Sequence, residues 1–240
     1  MNIKIRPYKR DAGHAYALGV FPTLELLAHR PEQVLRVLLS ERAGDNEGVA
    51  KICSICTERN IRVEVADRAI ARVGGNEATY AVGVFQKYEA SLSADANHLV
   101  LVNPDDAGNL GTIVRTMLGF DVVDLAVIRP AADLFAPRTV RASMGAVFQL
   151  RYHYFDTFDE YRARFDHHLY PLMTDGRHAL GETTFRPPWA LVFGNEGAGL
   201  GAEFHALGDS VRIPQSDRID SLNLAVAVAI ALYQVTGITQ

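Results

Sequence analysis

Three blocks beyond residue 100 hold polar residues in patterns that suit chemistry better than packing: Asn103–Arg115 (NPDDAGNLGTIVR), Leu191–Leu200 (LVFGNEGAGL) and Ile213–Asn223 (IPQSDRIDSLN). In the middle block an apolar run stops in glycines around one carboxylate, Glu196. A P-loop would need Lys after the glycines, and none follows. A dinucleotide fingerprint needs GxGxxG, but the glycines stand at Gly194, Gly197, Gly199 and Gly201. Glu196 would also repel an incoming pyrophosphate. The acidic, glycine-rich loop that follows the first strand in a common methyltransferase pattern is absent from LVLVNPDDAGNLG. Two readings stay open for the block: a tight strand-to-helix connection, or a place where backbone approaches a ligand closely.

In the first block Asn109 and Arg115 are six residues apart. At ~100° per residue they differ by about 240° around a helix axis and need not share a face. Asn109 therefore acts from the loop or first turn, or caps the helix. Arg115 is either a functional cation or a surface one. In the third block Asp220 or Ser221 is the expected cap of the final helix. Asn223 heads LNLAVAVAIALY, which is apolar almost all round and expected to be largely buried. A polar residue there needs a partner or a ligand.

The elements that must position these blocks alternate regularly. Strands are predicted at 99–103, 124–128, 149–155, 189–194 and 210–214, with helices at 110–118, 139–147, 158–169, 203–207 and 222–235. Apolar strands alternating with helices predict a parallel sheet covered on both faces, with ligands at the carboxyl ends of the strands. All three polar blocks fall at such ends. A smaller α/β segment precedes, with helices at 23–29 and 47–60 and strands at 34–40, 62–66 and 80–85. The polar stretch YEASLSADANH (Tyr88–His98) joins the two. The expected division is residues 1–90, a linker at 91–98, and residues 99–240.

The chain has 240 residues, 48% hydrophobic and 22% charged, as in a soluble globular protein. It shows no signal peptide, and its longest apolar run, Leu224–Tyr233, is too short for a bilayer. The expectation is a cytoplasmic protein with no membrane partner. Net charge is −4, which excludes a basic nucleic-acid coat. Residues 1–90 nevertheless carry +2 and residues 91–240 carry −6. The opening MNIKIRPYKR holds four cations and no acid, either a solvated terminus or a phosphate-binding arm. Cys53 and Cys56 form a lone CxxC without the further ligands that zinc needs. Their helical spacing with Val49 and Ile52 predicts a buried helix face. His167-His168 reads as polar filling.

Taken together, GNLGTIVRT, LVFGNEGAGL and IPQSDRIDSLNLAVAVAIALY resemble, in order and spacing over Leu99–Gln234, the three motifs of the SpoU-type (TrmH-like) RNA ribose 2′-O-methyltransferases of the SPOUT class. FAPRTVRASMGAVF (Phe135–Phe148) resembles the family's middle segment. YALGVFPTLELL and ATYAVGVFQKYE resemble the ends of a small RNA-binding domain similar to a ribosomal protein. Two departures stand out: Ala107 where members often carry Pro, and a shorter segment after Arg115.

The resemblance implies an α/β fold whose C-terminal parallel sheet ends in a deep trefoil knot that binds S-adenosylmethionine. By position Gly194, Ile213 and Leu222 match cofactor contacts. Asn109, Arg115, Glu196, Ser221 and Asn223 match active-site positions. The implied reaction is attack of an RNA ribose 2′-hydroxyl on the sulfonium methyl, with ribosomal RNA favoured over transfer RNA. Arg115 is implied as base or phosphate clamp. A homodimer through the knotted domain is implied, and no metal.

Overall fold

The structure is a computed structural model and describes residues 4–237. In chain order the first elements are β1 (His14–Leu18), α1 (Val20–His29), β2 (Val34–Leu39), α2 (Glu47–Glu58), β3 (Val63–Val65), α3 (Asp67–Arg72) and β4 (Ala81–Gln86). Then come β5 (His98–Val102), α4 (Ala107–Gly119), β6 (Asp124–Ile128), α5 (Pro137–Ala142), β7 (Arg151–Phe155), α6 (Phe158–Arg164) and β8 (His168–Pro171). The chain closes with β9 (His178–Ala179), β10 (Trp189–Phe193), β11 (Val211–Arg212) and α7 (Leu224–Thr236). The described residues form two compact units, one of residues 4–88 and 133–149, the other of residues 89–132 and 150–237.

The first unit is a four-stranded sheet in the order β1-β4-β2-β3, antiparallel except for the β2–β3 pair. Its residues obey the two-residue period of a strand. Val37 and Leu39 of β2 join Ile52 and Cys56 of α2 on one face, while Leu38 joins Tyr16, Ile70 and Val84 on the other. Burial pushes the Cys56 thiol up to about 11, which makes it an inert packing group rather than a redox one. The segment 133–149, embedded in sequence between strands of the second unit, packs here. Its α5 lies against β1, and Phe135 and Phe148 meet Phe85 edge-on at 5.3 and 5.1 Å.

The second unit is a five-stranded, all-parallel sheet in the order β7-β6-β5-β10-β8. Every residue of β6 and β10 is buried, as the continuous apolar runs require of strands covered on both faces. The fifth strand is β8, a segment read from sequence as the end of a helix. That helix, α6, stops at Arg164 because Phe165 turns extended and packs on His98 and Tyr161. The 210–214 strand lies outside the sheet; its core, β11, pairs with β9 instead. The 139–147 helix is only α5 followed by a short 3-10 turn, and the sequence reading omitted β1, α3 and β9.

The two departures from the family pattern are absorbed locally. Ala107 is the first residue of α4, a position where proline is favoured but not needed. The short connection after Arg115 closes through Asp121 in the left-handed region at φ 57.

Candidate active site

The site is built where β5 and β10 end side by side. Asn195, the second residue past β10, organises the glycine loop. Its Oδ1 accepts from the N–H of Gly197 (2.9 Å) and Ala198 (3.1 Å), and its carbonyl accepts from Gly199 N–H (2.9 Å). Its Nδ2 donates to the Asn103 carbonyl at 2.9 Å and so ties the loop to the end of β5. Gly194 must be glycine because an added Cβ would sit 2.1 Å from the Gly199 carbonyl carbon. Gly199 itself adopts φ 67, a left-handed conformation that glycine tolerates.

This loop aims Glu196 at the first block. Glu196 Oε2 accepts from Asp105 N–H at 3.3 Å, and Oε1 accepts from Asn109 Nδ2 at 3.2 Å. Asn109 Oδ1 in turn accepts from Asn223 Nδ2 at 3.1 Å. Asn223 Oδ1 accepts from the N–H of Ala225 and Val226. One hydrogen-bonded chain, Glu196–Asn109–Asn223, therefore joins all three sequence blocks.

Two capping expectations are corrected. Neither Asp220 nor Ser221 caps the last helix; Asn223 does, because α7 starts two residues later than the apolar pattern suggests. Asn109 is not a cap either. Asp106 caps α4 by accepting from Asn109 N–H at 2.7 Å, which leaves the Asn109 amide free to bridge.

Beside this chain lies a cavity of about 330 Å³, the size range of small-molecule sites. Gly194, Glu196, Ile213, Ser221 and Leu222 line it, as do Leu172, Met173 and Asp175 from the loop after β8. Its charged lining residues are Asp175, Glu196 and Asp220, with no Lys, Arg or His. Such a wall suits a cationic ligand and repels phosphate. Arg115 is outside this group: it is exposed on α4 and its side chain makes no hydrogen bond or ion pair among the described residues. Sequence reasoning overlooked Asn195, Asp106 and the 172–175 loop. The pattern Asp-x-x-Asn before an apolar helix could have identified Asp106, and Thr174-Asp175-Gly176 is a turn signal after an apolar run.

The sheet, its crossover helices and the strand-end cavity place the second unit among parallel α/β proteins that hold a small organic ligand at the carboxyl edge. A sequence model of the SpoU rRNA methylase family matches residues 96–233, and the chain belongs to that family. It is 32% identical over 199 residues to a 23S rRNA (adenosine(1067)-2′-O)-methyltransferase of Streptomyces laurentii, covering 76% of this chain and 72% of the relative. It is 32% identical over 140 residues to an uncharacterized tRNA/rRNA methyltransferase of Synechocystis sp., covering 57% of this chain and about half (51%) of that protein's length. Among solved structures, an AdoMet-bound rRNA methyltransferase from Sinorhizobium meliloti is similar at TM-score 0.78 and 25% identity, covering 92% of this chain and 86% of that one.

Proposed function

We propose that this protein transfers the methyl group of S-adenosylmethionine to a ribose 2′-hydroxyl of RNA, with ribosomal RNA as substrate and the cytoplasm as its compartment. The observation that carries the reading is the Glu196–Asn109–Asn223 chain beside the cavity that Gly194, Ile213 and Leu222 line. The cavity fits the cofactor in kind: it is lined by carboxylates and open backbone, and the cofactor is a sulfonium cation. When bound, the cofactor supplies an electrophilic methyl group.

The chain's own residues then have alignment as their main task. Glu196 has both carboxylate oxygens engaged, so it orients Asn109 and the first-block backbone rather than serving as a free base. Asn223 locks the third block to the first, and Ser221 forms part of the cavity wall. The attacking hydroxyl must shed a proton as its bond to carbon forms. A guanidinium holds its proton throughout the physiological range and is a poor base near neutrality. Arg115, exposed and without an ion-pair partner among the described residues, clamps the adjacent RNA phosphate, and the proton passes to water as the new C–O bond makes the ribose oxygen acidic.

The first unit grips RNA. In support, Lys4, Arg6, Lys9 and Arg10 are all exposed; residues 1–3 of the arm lie outside the described residues. The second unit forms a homodimer. In support, α7 leaves Val226 (47%), Ile230 (38%) and Tyr233 (69%) exposed on one face, although its sequence predicted a largely buried helix. Its other face, with Val228, Ala231 and Leu232, is buried, and the helix packs on α4. The third block is threaded to form a knot. In support, the strand leading into that block meets the loop after β8 through the parallel bridge between Leu172 and Val211. Described helices include none long and apolar enough to cross a membrane.

The test uses methyl-tritiated S-adenosylmethionine with unmodified ribosomal and transfer RNA, followed by alkaline digestion. A 2′-O-methyl group blocks cleavage of the next phosphodiester, so label in alkali-resistant dinucleotides from ribosomal RNA is expected. Label in transfer RNA would change the substrate, and label in mononucleotides would overturn ribose chemistry.

A further inference from the structure

A second hydrogen-bonded chain reaches the cavity from its other side. His205 Nε2 lies 3.1 Å from Asp175 Oδ2, and His205 Nδ1 lies 3.2 Å from Ser210 Oγ. A Ser–His–Asp set suggests a hydrolytic triad, but the accessibility is inverted. Ser210 is fully buried and its hydroxyl oxygen also accepts from Arg177 N–H at 3.2 Å, whereas the Asp175 side chain is 74% exposed. A nucleophile must reach substrate, and here only the carboxylate can.

The loop that carries Asp175 is fixed on several sides. Gly176 lies so close to the next segment that a Cβ would meet Val211 and Arg212 backbone atoms at 2.4–2.6 Å. Arg212 Nη1 donates to the carbonyls of Gly176 (2.8 Å) and Arg177 (2.9 Å). Met173 N–H donates to the Val211 carbonyl at 2.9 Å. An exposed ion pair alone contributes little to stability. A carboxylate held on a rigid loop at a cavity wall is instead pre-organised for a ligand.

Resting on the methyltransferase reading, we propose that Asp175 binds the cofactor, accepting hydrogen bonds from hydroxyl or amino donors, and that His205 is its positioning residue. The strand order decides which part of the cofactor it meets. Asn109 follows β5, Glu196 follows β10, and Asp175 follows β8, with β10 between the other two. Neighbouring strands are ~4.8 Å apart, so the Asp175 loop stands roughly 10 Å from the β5 loop. The methyltransferase reading puts the transfer step beside the Asn109–Glu196 contact, on the β5 side. Asp175 therefore contacts groups that survive methyl transfer.

The experiment is calorimetric titration of the full chain with S-adenosylmethionine and, separately, S-adenosylhomocysteine, together with steady-state transfer. Asp175→Asn is expected to weaken both ligands about tenfold, the scale of one charge-assisted hydrogen bond. It should raise the cofactor KM and leave kcat at saturation unchanged. His205→Phe should weaken both ligands by a smaller factor. Unchanged affinities in Asp175→Asn, or a loss confined to S-adenosylmethionine, would overturn the assignment. Failure of the wild-type chain to bind either ligand would overturn the methyltransferase reading itself.

Discussion

Gly194→Ala tests whether the glycine loop is shaped by close backbone approach. A Cβ at Gly194 would lie 2.1 Å from the Gly199 carbonyl carbon, 2.2 Å from its oxygen and 2.4 Å from Leu200 N. All three are backbone atoms, so no side-chain rotation relieves the clash. Recovering ordinary contact near 3.5 Å means a retreat of about 1.4 Å. Overpacking of this kind costs about 1–3 kcal/mol. The loop is pinned to Asn195, so the shift carries Glu196 with it and breaks contacts to Asp105 and Asn109 that already stand at 3.3 and 3.2 Å. If ligand binding must restore the loop, that strain corresponds to about a 5- to 150-fold loss of cofactor affinity. Gly197→Ala is the control within the same motif, because a Cβ there meets only Asn195 Oδ1, at 3.5 Å. Calorimetric titration with S-adenosylmethionine should show at least a fivefold loss for Gly194→Ala and less than twofold for Gly197→Ala. Wild-type affinity in the first variant, or equal losses in both, would refute the steric argument.

Arg115→Ala should abolish methyl transfer while leaving cofactor affinity near wild type, since Arg115 does not line the cavity; retained turnover would remove it from the central role. Replacing Arg6, Lys9 and Arg10 together with Ala should weaken RNA binding and lower its salt slope by roughly 2, at ~0.7 per phosphate on single strands; an unchanged slope would place the RNA elsewhere. Deleting residues 1–90 would be a poorer test, because it strips the partner of Phe135 and Phe148. His98 provides the pH dependence. It is buried, donates from Nε2 to the Ser93 carbonyl (2.8 Å) and accepts at Nδ1 from the Tyr161 hydroxyl (3.0 Å). Burial, reinforced by His167, brings its pKa down to about 4. The unfolded chain takes up this proton near pH 6.5 and the folded one only near 4, so stability falls as pH drops through that window, by on the order of 3 kcal/mol. Urea midpoints of His98→Gln should fall less steeply across the same window; parallel curves would show that another group titrates.

Much of this architecture was legible in the chain alone. Continuous apolar runs identified β5, β6 and β10, because a parallel strand covered on both faces has no polar side to show. The three polar blocks were visible for the converse reason: asparagines, a lone glutamate and clustered glycines are costly at strand ends unless something uses them. Spacing along one chain could not say which of these residues meet. Asn109, Glu196 and Asn223 are joined only because β5 and β10 are neighbours and α7 begins beside α4. Nor could local pattern separate β8 from a helix end, since a short apolar run serves either state and burial of Phe165 and Tyr170 decides. Segment 133–149 reads as part of the second unit and packs in the first, and Asp175, His205 and Ser210 carry no motif at all. Residue types and their order along the chain determine which chemistry is possible. Which groups lie within hydrogen-bonding distance of one another depends on strand order and backbone approach, and those are properties of the folded chain.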